Sequence, residues 1–302
     1  MTSNWLAVDW GTSHLRIWWI NAEGSVLAQR HSSDGMGNLR PDGFEAALVE
    51  LAGDLLPASE KTTVLICGMA GARQGWAEAP YVATPCPPPS VAAAVKVDTT
   101  DPRLAAHIIP GIKQERPADV MRGEETQIAG FLDEYPNFDG ILCLPGTHCK
   151  WVQISAGEIV SFRTFMTGEL FGLLEQASVL RHSVGGGGWD SATFLAALDE
   201  AIAHPALVSA NLFSIRAEGL LHGADTNAAR ARLSGLLIGQ ELAGAKPYWL
   251  GQDIRVIGTG GIADAYHEAL TAQGASVIKI SGEGMALSGL KAAYKGCLEA
   301  AE

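Results

Sequence analysis

The sequence has no long apolar run, no basic cluster, no C-x-x-C pair and no metal-ligand spacing among its eight histidines. Each absence removes a class of function. Nothing approaches the roughly 20 apolar residues of a membrane span, and no basic segment followed by an apolar stretch opens the chain. No membrane partner is expected, and the cytoplasm is the expected compartment. The formal net charge is -12, from 21 Lys and Arg against 33 Asp and Glu, and the basic residues are dispersed. Such a surface cannot neutralise a phosphate backbone, so nucleic acid is not an expected partner. An anionic small molecule must then be met by individual Arg, Lys or backbone N–H groups. The five cysteines (Cys67, Cys86, Cys143, Cys149, Cys297) are scattered and odd in number. That is the usage of small apolar residues in a reducing compartment.

What the chain does have is a composition suited to compact cores, 47% hydrophobic and 18% charged over 302 residues. That length is enough for two domains or one large one. Its organising stretch is Trp5 to Leu27. The alternation reads as a strand (Leu6 to Asp9), a turn (Trp10-Gly11-Thr12-Ser13), a strand (Leu15 to Ile20), a turn ending at Gly24 and a third strand. Asp9 is a lone carboxylate where an apolar strand runs out into small hydroxyls and glycine. There, turn N–H groups can meet a phosphate and Asp9 can hold a divalent cation directly or through water. The alternative is an ordinary hairpin with a turn-capping Asp.

The same unit occurs again from Gly140, as GILCLPGTHCKWVQISAGEIVSF. Setting Gly11-Thr12 on Gly146-Thr147 brings the second turns, at Gly24 and Gly157, into near register. Two copies suggest two similar domains facing each other across a cleft. Leu144 stands where the first copy has Asp9, so the expected site is asymmetric.

Between the copies, a helix is expected over Asp42 to Leu56 with Asp42 as N-cap, then a short strand, Thr63 to Cys67, ending in a glycine loop. Ligands of α/β sheets gather at strand C-termini, which makes the loops at 35–38 (Gly37, Asn38) and 68–76 (Met69, Gly71, Arg73) candidate substrate loops. Tyr81 to Pro89 is extended by its prolines. Glu124 and Glu125 then stand at the expected start of a helix. Acids there complement the helix dipole, or one of them, Glu124 more than Glu125, acts as a general base. His14 and Arg16 follow the first turn as His148 and Lys150 follow the second, close enough to neutralise a transferring phosphoryl group. Arg163 and Glu169 flank a Thr167-Gly168-Glu169 corner that suits polar ligand contacts. Residues 172–245 read as mostly helical, broken at Gly185 to Gly188. Near the C-terminus, a strand leads through Gly258-Thr259-Gly260-Gly261 into a helix whose free amides suit a nucleotide phosphate or the adenosine edge. It is not a G-x-G-x-x-G fingerprint. A last helix carries Gly284, Ala286, Ser288 and Gly289, small residues that permit close packing as a hinge between domains would need.

In this order the motifs resemble the actin, Hsp70 and sugar kinase ATPase superfamily, over nearly the full length. Within it, Val8-Asp9-Trp10-Gly11-Thr12-Ser13, Gly68-Met69-Ala70-Gly71, Met121 to Gln127, Leu144 to Trp151 and Phe165 to Phe171 resemble the 2-dehydro-3-deoxygalactonokinases. The resemblance implies an α/β fold of two ribonuclease H-like domains around an interdomain cleft. The expected division is residues 1–120 for sugar acid and phosphate and 121–286 for nucleotide, with a helix at about 287–302 packing back on the first. It implies ATP and Mg²⁺ as cofactors and phosphorylation of the terminal (6-) hydroxyl of 2-dehydro-3-deoxygalactonate. Gly11, Thr12, Ser13, Gly146, Thr147, His148 and Lys150 would then contact phosphates, Gly258 to Gly261 the far end of the nucleotide, and Asp9 the metal. Arg16, Gly37, Asn38, Met69, Gly71, Arg73, Arg163 and Glu169 are the substrate candidates, Arg73 or Arg163 for the carboxylate. Many superfamily members keep an acid in the second phosphate loop, where Leu144-Pro145 stand here. The alternatives are an exopolyphosphatase-like phosphohydrolase, another sugar or sugar-acid kinase, and a non-catalytic regulator; for the last, Asp9 lies too near the start for a preceding DNA-binding segment. Assembly as a homodimer is left open.

Overall fold

The computed structural model describes residues 4–299, except for the side chains of 296–299. The Cys297 thiol and residues 300–302 of the expected last helix lie outside the described residues. Among those described, no helix is long and apolar enough to cross a membrane.

The first hairpin pair forms β1 (Trp5–Trp10), β2 (Leu15–Ile20) and β3 (Val26–Ser32). Every residue of β1 is buried, and all but Asp9 are apolar. Leu6, Val8 and Trp10 point to one side with Phe44 and Leu48 of α1 (Phe44–Ala52). Trp5 and Ala7 point to the other with Leu290 and Ala293 of α9 (Met285–Glu299). A strand apolar on both sides belongs in the middle of a covered sheet, each such side chain contributing about 1.5–3 kcal/mol on burial. β1 accordingly pairs antiparallel with β2 and parallel with β4 (Thr62–Gly68), which pairs parallel with β7 (Leu104–Ile108). With β6 (Val95–Lys96), the sheet order is β3-β2-β1-β4-β7-β6. A small sheet of β5 (Val82–Ala83), β8 (Ile112–Gln114) and β9 (Asp119–Met121) leads to α2 (Glu124–Glu134).

The second copy gives β10 (Gly140–Leu144), β11 (Cys149–Ser155) and β12 (Glu158–Phe165), followed by β13 (Asp253–Gly258) and β14 (Ser276–Ser281). Its order, β12-β11-β10-β13-β14, repeats the first sheet: an antiparallel meander and then parallel strands. Both meanders close their second turn with a left-handed glycine, Gly24 at φ 83° and Gly157 at φ 76°, a conformation that a side chain would strain. Helices α3 (Thr167–Ala177), α4 (Ser191–Ala203), α5 (Val208–His222), α6 (Thr226–Gly244), α7 (Lys246–Trp249) and α8 (Gly260–Ala272) complete this part. Phe194, Leu198, Ile238, Leu242 and Tyr266 pack with Cys143, Trp151 and Val256 of the sheet.

The chain divides into two compact units, Met1–Phe138 with Ser155–Ser161 and Gly282–Glu302, and Asp139–Ile154 with Phe162–Ser281. The expected division lay at 120/121, whereas α2 groups with the first of these units. The reason is its contact with α9, where a Cβ on Gly289 would meet the Thr126 carbonyl at 1.8 Å and one on Gly130 the Met285 carbonyl at 2.3 Å. Trp5 and Tyr294 stack with centroids 4.1 Å apart and hold α9 on β1. The helix expected from Asp42 begins at Phe44 with Gly43 at its N-cap and no side-chain cap, because Pro41-Asp42-Gly43 forms a separate 3-10 turn.

Candidate active site

In the first unit, the parallel strands β1 and β4 end side by side, with Asp9 opposite Cys67 and Trp10 opposite Gly68. Gly68, at φ 88°, lies so close to Trp10 that a Cβ would stand 2.6 Å from the Trp10 carbonyl oxygen. Asp9 is 8% exposed. One of its oxygens accepts from Arg16 Nη2, and the other lies 3.8 Å from the Cys67 thiol. Gly11, Thr12 and Ser13 form the turn just beyond. The 35–38 loop closes on that turn, with Met36 N–H donating to Gly11 O (3.0 Å) and Gly37 N–H to Thr12 O (2.8 Å). Asn38 donates its side-chain amide to Ser33 O (2.8 Å) and so fastens its own loop.

The start of α2 completes this corner. Gly123, at φ 105°, takes a turn that frees the next two carboxylates to fold back. Glu124 accepts from Arg122 N–H (3.0 Å), and Glu125 from Gly123 N–H (2.7 Å) and Thr126 Oγ1 (3.2 Å). The two acids differ in setting: Glu124 is half-buried, whereas Glu125 is fully buried. Burial, reinforced by the Glu124 charge, pushes the Glu125 carboxyl up to about 8, against the lowering effect of backbone N–H groups and Arg122. Burial also raises the Cys67 thiol well above its usual range, with the Asp9 and Glu125 charges adding to the effect. Asp9, Cys67, Thr126 and Glu125 are therefore one connected group.

Arg122 had no place among the sequence candidates. Its guanidinium lies 4.4 Å from the Tyr81 ring centroid and donates Nη2 to Ala79 O (2.7 Å). Its Nε and Nη1 are buried without hydrogen-bond partners. Gly71 leaves it room, since a Cβ there would meet Arg122 Nη1 at 2.6 Å. Met69 lies half-buried beside Gly71, and Arg73 stands apart, its side chain 81% exposed and 3.7 Å from Glu78.

In the second unit, β10 and β13 are parallel neighbours that bring Pro145-Gly146-Thr147-His148 beside Gly258-Thr259-Gly260-Gly261. A Cβ on Gly258 would stand 3.7 Å from the Pro145 ring. The first turn of α3 locks onto the same place. Glu169 N–H donates to Thr147 O (2.8 Å), Glu169 Oε2 lies 2.6 Å from His148 Nε2, and a Cβ on Gly168 would fall 2.1 Å from Gly146 O. Lys150 does not share that exposure: it is buried, with Nζ donating to Thr164 Oγ1 (2.9 Å). Arg163 is exposed on β12.

A cavity of about 670 Å³ opens in this unit, lined by Thr167, Gly168, Gly188, Trp189, Gly261 and Ile262 among others. Two of its lining residues, Thr167 and Tyr266, are held by Glu241, a buried carboxylate on α6 that accepts from Trp151 Nε1 (2.7 Å), Tyr266 OH (2.6 Å) and Thr167 Oγ1. Burial raises Glu241, and the donors around it oppose the rise. With the Cys149 thiol, these donors tie β11, α8 and the start of α3 together through one side chain.

A model of the 2-keto-3-deoxy-galactonokinase family matches residues 9–293. The chain belongs to that family. Two relatives of this chain are "Probable 2-dehydro-3-deoxygalactonokinase DgoK1" of Rhizobium meliloti and 2-dehydro-3-deoxygalactonokinase of Escherichia coli. The first is 41% identical, with 96% of each chain covered. The second is 34% identical, with 96% of this chain and 97% of the relative covered. A crystal structure from Sinorhizobium meliloti, described as a 2-dehydro-3-deoxygalactonokinase, is 39% identical with a TM-score of 0.88 and covers 97% of this chain and 99% of that one. The activator of 2-hydroxyisocaproyl-CoA dehydratase from Clostridium difficile, solved with ADPNP, has a TM-score of 0.50 at 11% identity over 98% and 97% of the two chains. That likeness concerns the fold alone. The chain has the mixed α/β fold of the actin, Hsp70 and sugar kinase type.

Proposed function

We propose that the protein is an ATP-dependent kinase that phosphorylates the terminal (6-) hydroxyl of 2-dehydro-3-deoxygalactonate. Membership of the 2-keto-3-deoxy-galactonokinase family over residues 9–293 is the observation that carries this reading. The site chemistry agrees with it. Phosphoryl transfer asks a protein mainly to position the reactants and to answer charge.

The second unit holds the nucleotide in this proposal. The 670 Å³ cavity beside Gly261 is large enough for a nucleoside. The N-terminal amides of α8 and the Gly146-Thr147 turn are open to phosphate oxygens. The first unit holds the sugar acid on the 35–38 and 68–71 loops, with the Arg122 guanidinium adding positive potential beside Gly71. Glu124 takes the proton from the attacking hydroxyl, being the reachable member of the acid pair. Glu125 stays protonated at neutral pH and therefore adds no negative charge next to that base.

The donor set also fits Mg²⁺. The described residues contain no cluster of three or more His, Cys, Asp or Glu ligands, and Mg²⁺ prefers one or two carboxylates with water and phosphate oxygens completing its shell. Asp9 would hold it, and the ion would supply charge neutralisation on the phosphates. Arg16, already on Asp9, orients that carboxylate.

An ADP-release assay over a panel of sugar acids and neutral sugars tests the function. The expected result is ADP formation that depends on 2-dehydro-3-deoxygalactonate. Phosphate release from ATP or polyphosphate with no sugar acid present would replace the kinase with a phosphohydrolase.

A further inference from the structure

The second phosphate turn carries no carboxylate and no free lysine. Leu144 is buried at the position corresponding to Asp9, and Lys150 is buried against Thr164. A turn that meets a triphosphate still needs positive charge. His148 is the side chain of that turn able to supply it, and its geometry is unusually determined. Its Nε2 lies 2.6 Å from Glu169 Oε2, with the two side chains 44% and 37% exposed. The Glu169 backbone is anchored beside the turn, because its N–H is bonded to Thr147 O and Gly168 is pressed onto Gly146. The imidazole is thus held in place on a turn that a ligand can reach.

We propose that His148 and Glu169 form a proton-coupled clamp for the terminal phosphate of the nucleotide. This rests on the kinase reading above. Glu169 accepts from Nε2–H and fixes the ring. In the neutral ring Nδ1 then carries a lone pair, which repels a phosphate oxygen. In the imidazolium both nitrogens donate. A carboxylate on one nitrogen and a phosphate on the other both favour that charged form. Binding of the triphosphate therefore draws a proton from solvent onto Nδ1, and loss of the terminal phosphoryl group releases it. Charged groups nearby are engaged elsewhere: Lys150 on β11 with Thr164, Glu241 on α6 with Trp151, Tyr266 and Thr167, and, along the adjoining cavity, Arg230 with Glu175, Asp264 with Lys279 and Glu268 with Ser191.

Calorimetric titration of the full chain with the non-hydrolysable triphosphate AMP-PNP, and separately with ADP, tests the clamp. Both titrations contain Mg²⁺ and are run at about pH 7.5, where an ordinary imidazole is mostly neutral, in buffers of different ionisation enthalpy. The same nucleotide is compared across wild type, His148→Gln and Glu169→Gln, so its own proton release cancels. Wild type is expected to take up more protons than either variant on binding AMP-PNP, by a sizeable fraction of one. The variants should bind AMP-PNP about tenfold more weakly and ADP nearly as well as wild type. Retained ADP binding also certifies that the variants fold. Equal proton uptake in all three proteins, or equal weakening for ADP and AMP-PNP, overturns the clamp while leaving the kinase standing. Failure of wild type to bind either nucleotide overturns both.

Discussion

Glu124→Gln is expected to lower kcat by about 10²- to 10⁴-fold, the range for loss of a general base, while Glu125→Gln loses less than about tenfold. The two neighbours separate because a base must first be able to touch its proton. Glu124 is half-buried and Glu125 is fully buried. Their charges are also linked: part of what holds the proton on Glu125 is the ionised Glu124 beside it. The buried acid leaves a second mark, on stability. Its carboxyl rises from 4.5 to about 8 on folding. Below pH 4.5 it is protonated in the folded and unfolded chains alike and makes no difference. Between pH 4.5 and 8 only the folded chain keeps the proton, so stability falls as pH rises, and above 8 the loss is complete. A shift of that size corresponds to several kcal/mol at most, on the order of 1.4 per unit. Thermal unfolding of Glu125→Gln should therefore show a flatter decline over this window and a higher midpoint than wild type at pH 8.5. Small kinetic losses in both variants would return the acids to the role of helix-dipole partners.

Asp9→Asn is expected to reduce turnover to about a thousandth or less while the circular dichroism spectrum is unchanged. Asparagine has the same shape and can stay within reach of Arg16 and Cys67, so the strand ends remain in place. The charge that would anchor a cation is gone. Near-wild-type turnover in Asp9→Asn would remove this residue from the chemistry.

Much of this arrangement was legible before any coordinates. The two hairpin units announce themselves by alternation and by glycines at matching turns, and their repetition explains why two sheets share one strand order. The strand, GTGG and helix succession is equally local and reads directly. What stayed hidden depends on distant partners. Lys150 is a phosphate candidate by sequence, but Cys149, Lys150, Trp151 and Val152 are all buried, so this run shows no alternation of inner and outer faces that could place it. Glu241 looks like any helix carboxylate. Only its setting among Leu236, Leu237, Ile238 and Leu242 hints at burial, and nothing local names Trp151, Tyr266 or Thr167 as its donors. Trp189 reaches the cavity wall from a glycine-rich loop some 70 residues before the GTGG turn that shares it. The boundary at 138 rather than 120 reflects small-residue packing between α2 and α9, two helices about 160 residues apart in the chain.

The central claim is that a phosphoryl group leaves ATP for one particular oxygen, and the reaction product records which. Phosphorus–proton correlation NMR of the product from ATP, Mg²⁺ and 2-dehydro-3-deoxygalactonate should show a phosphomonoester coupled to the two methylene protons at C6. Coupling to a ring-type methine, or a signal from inorganic phosphate alone, would contradict the account.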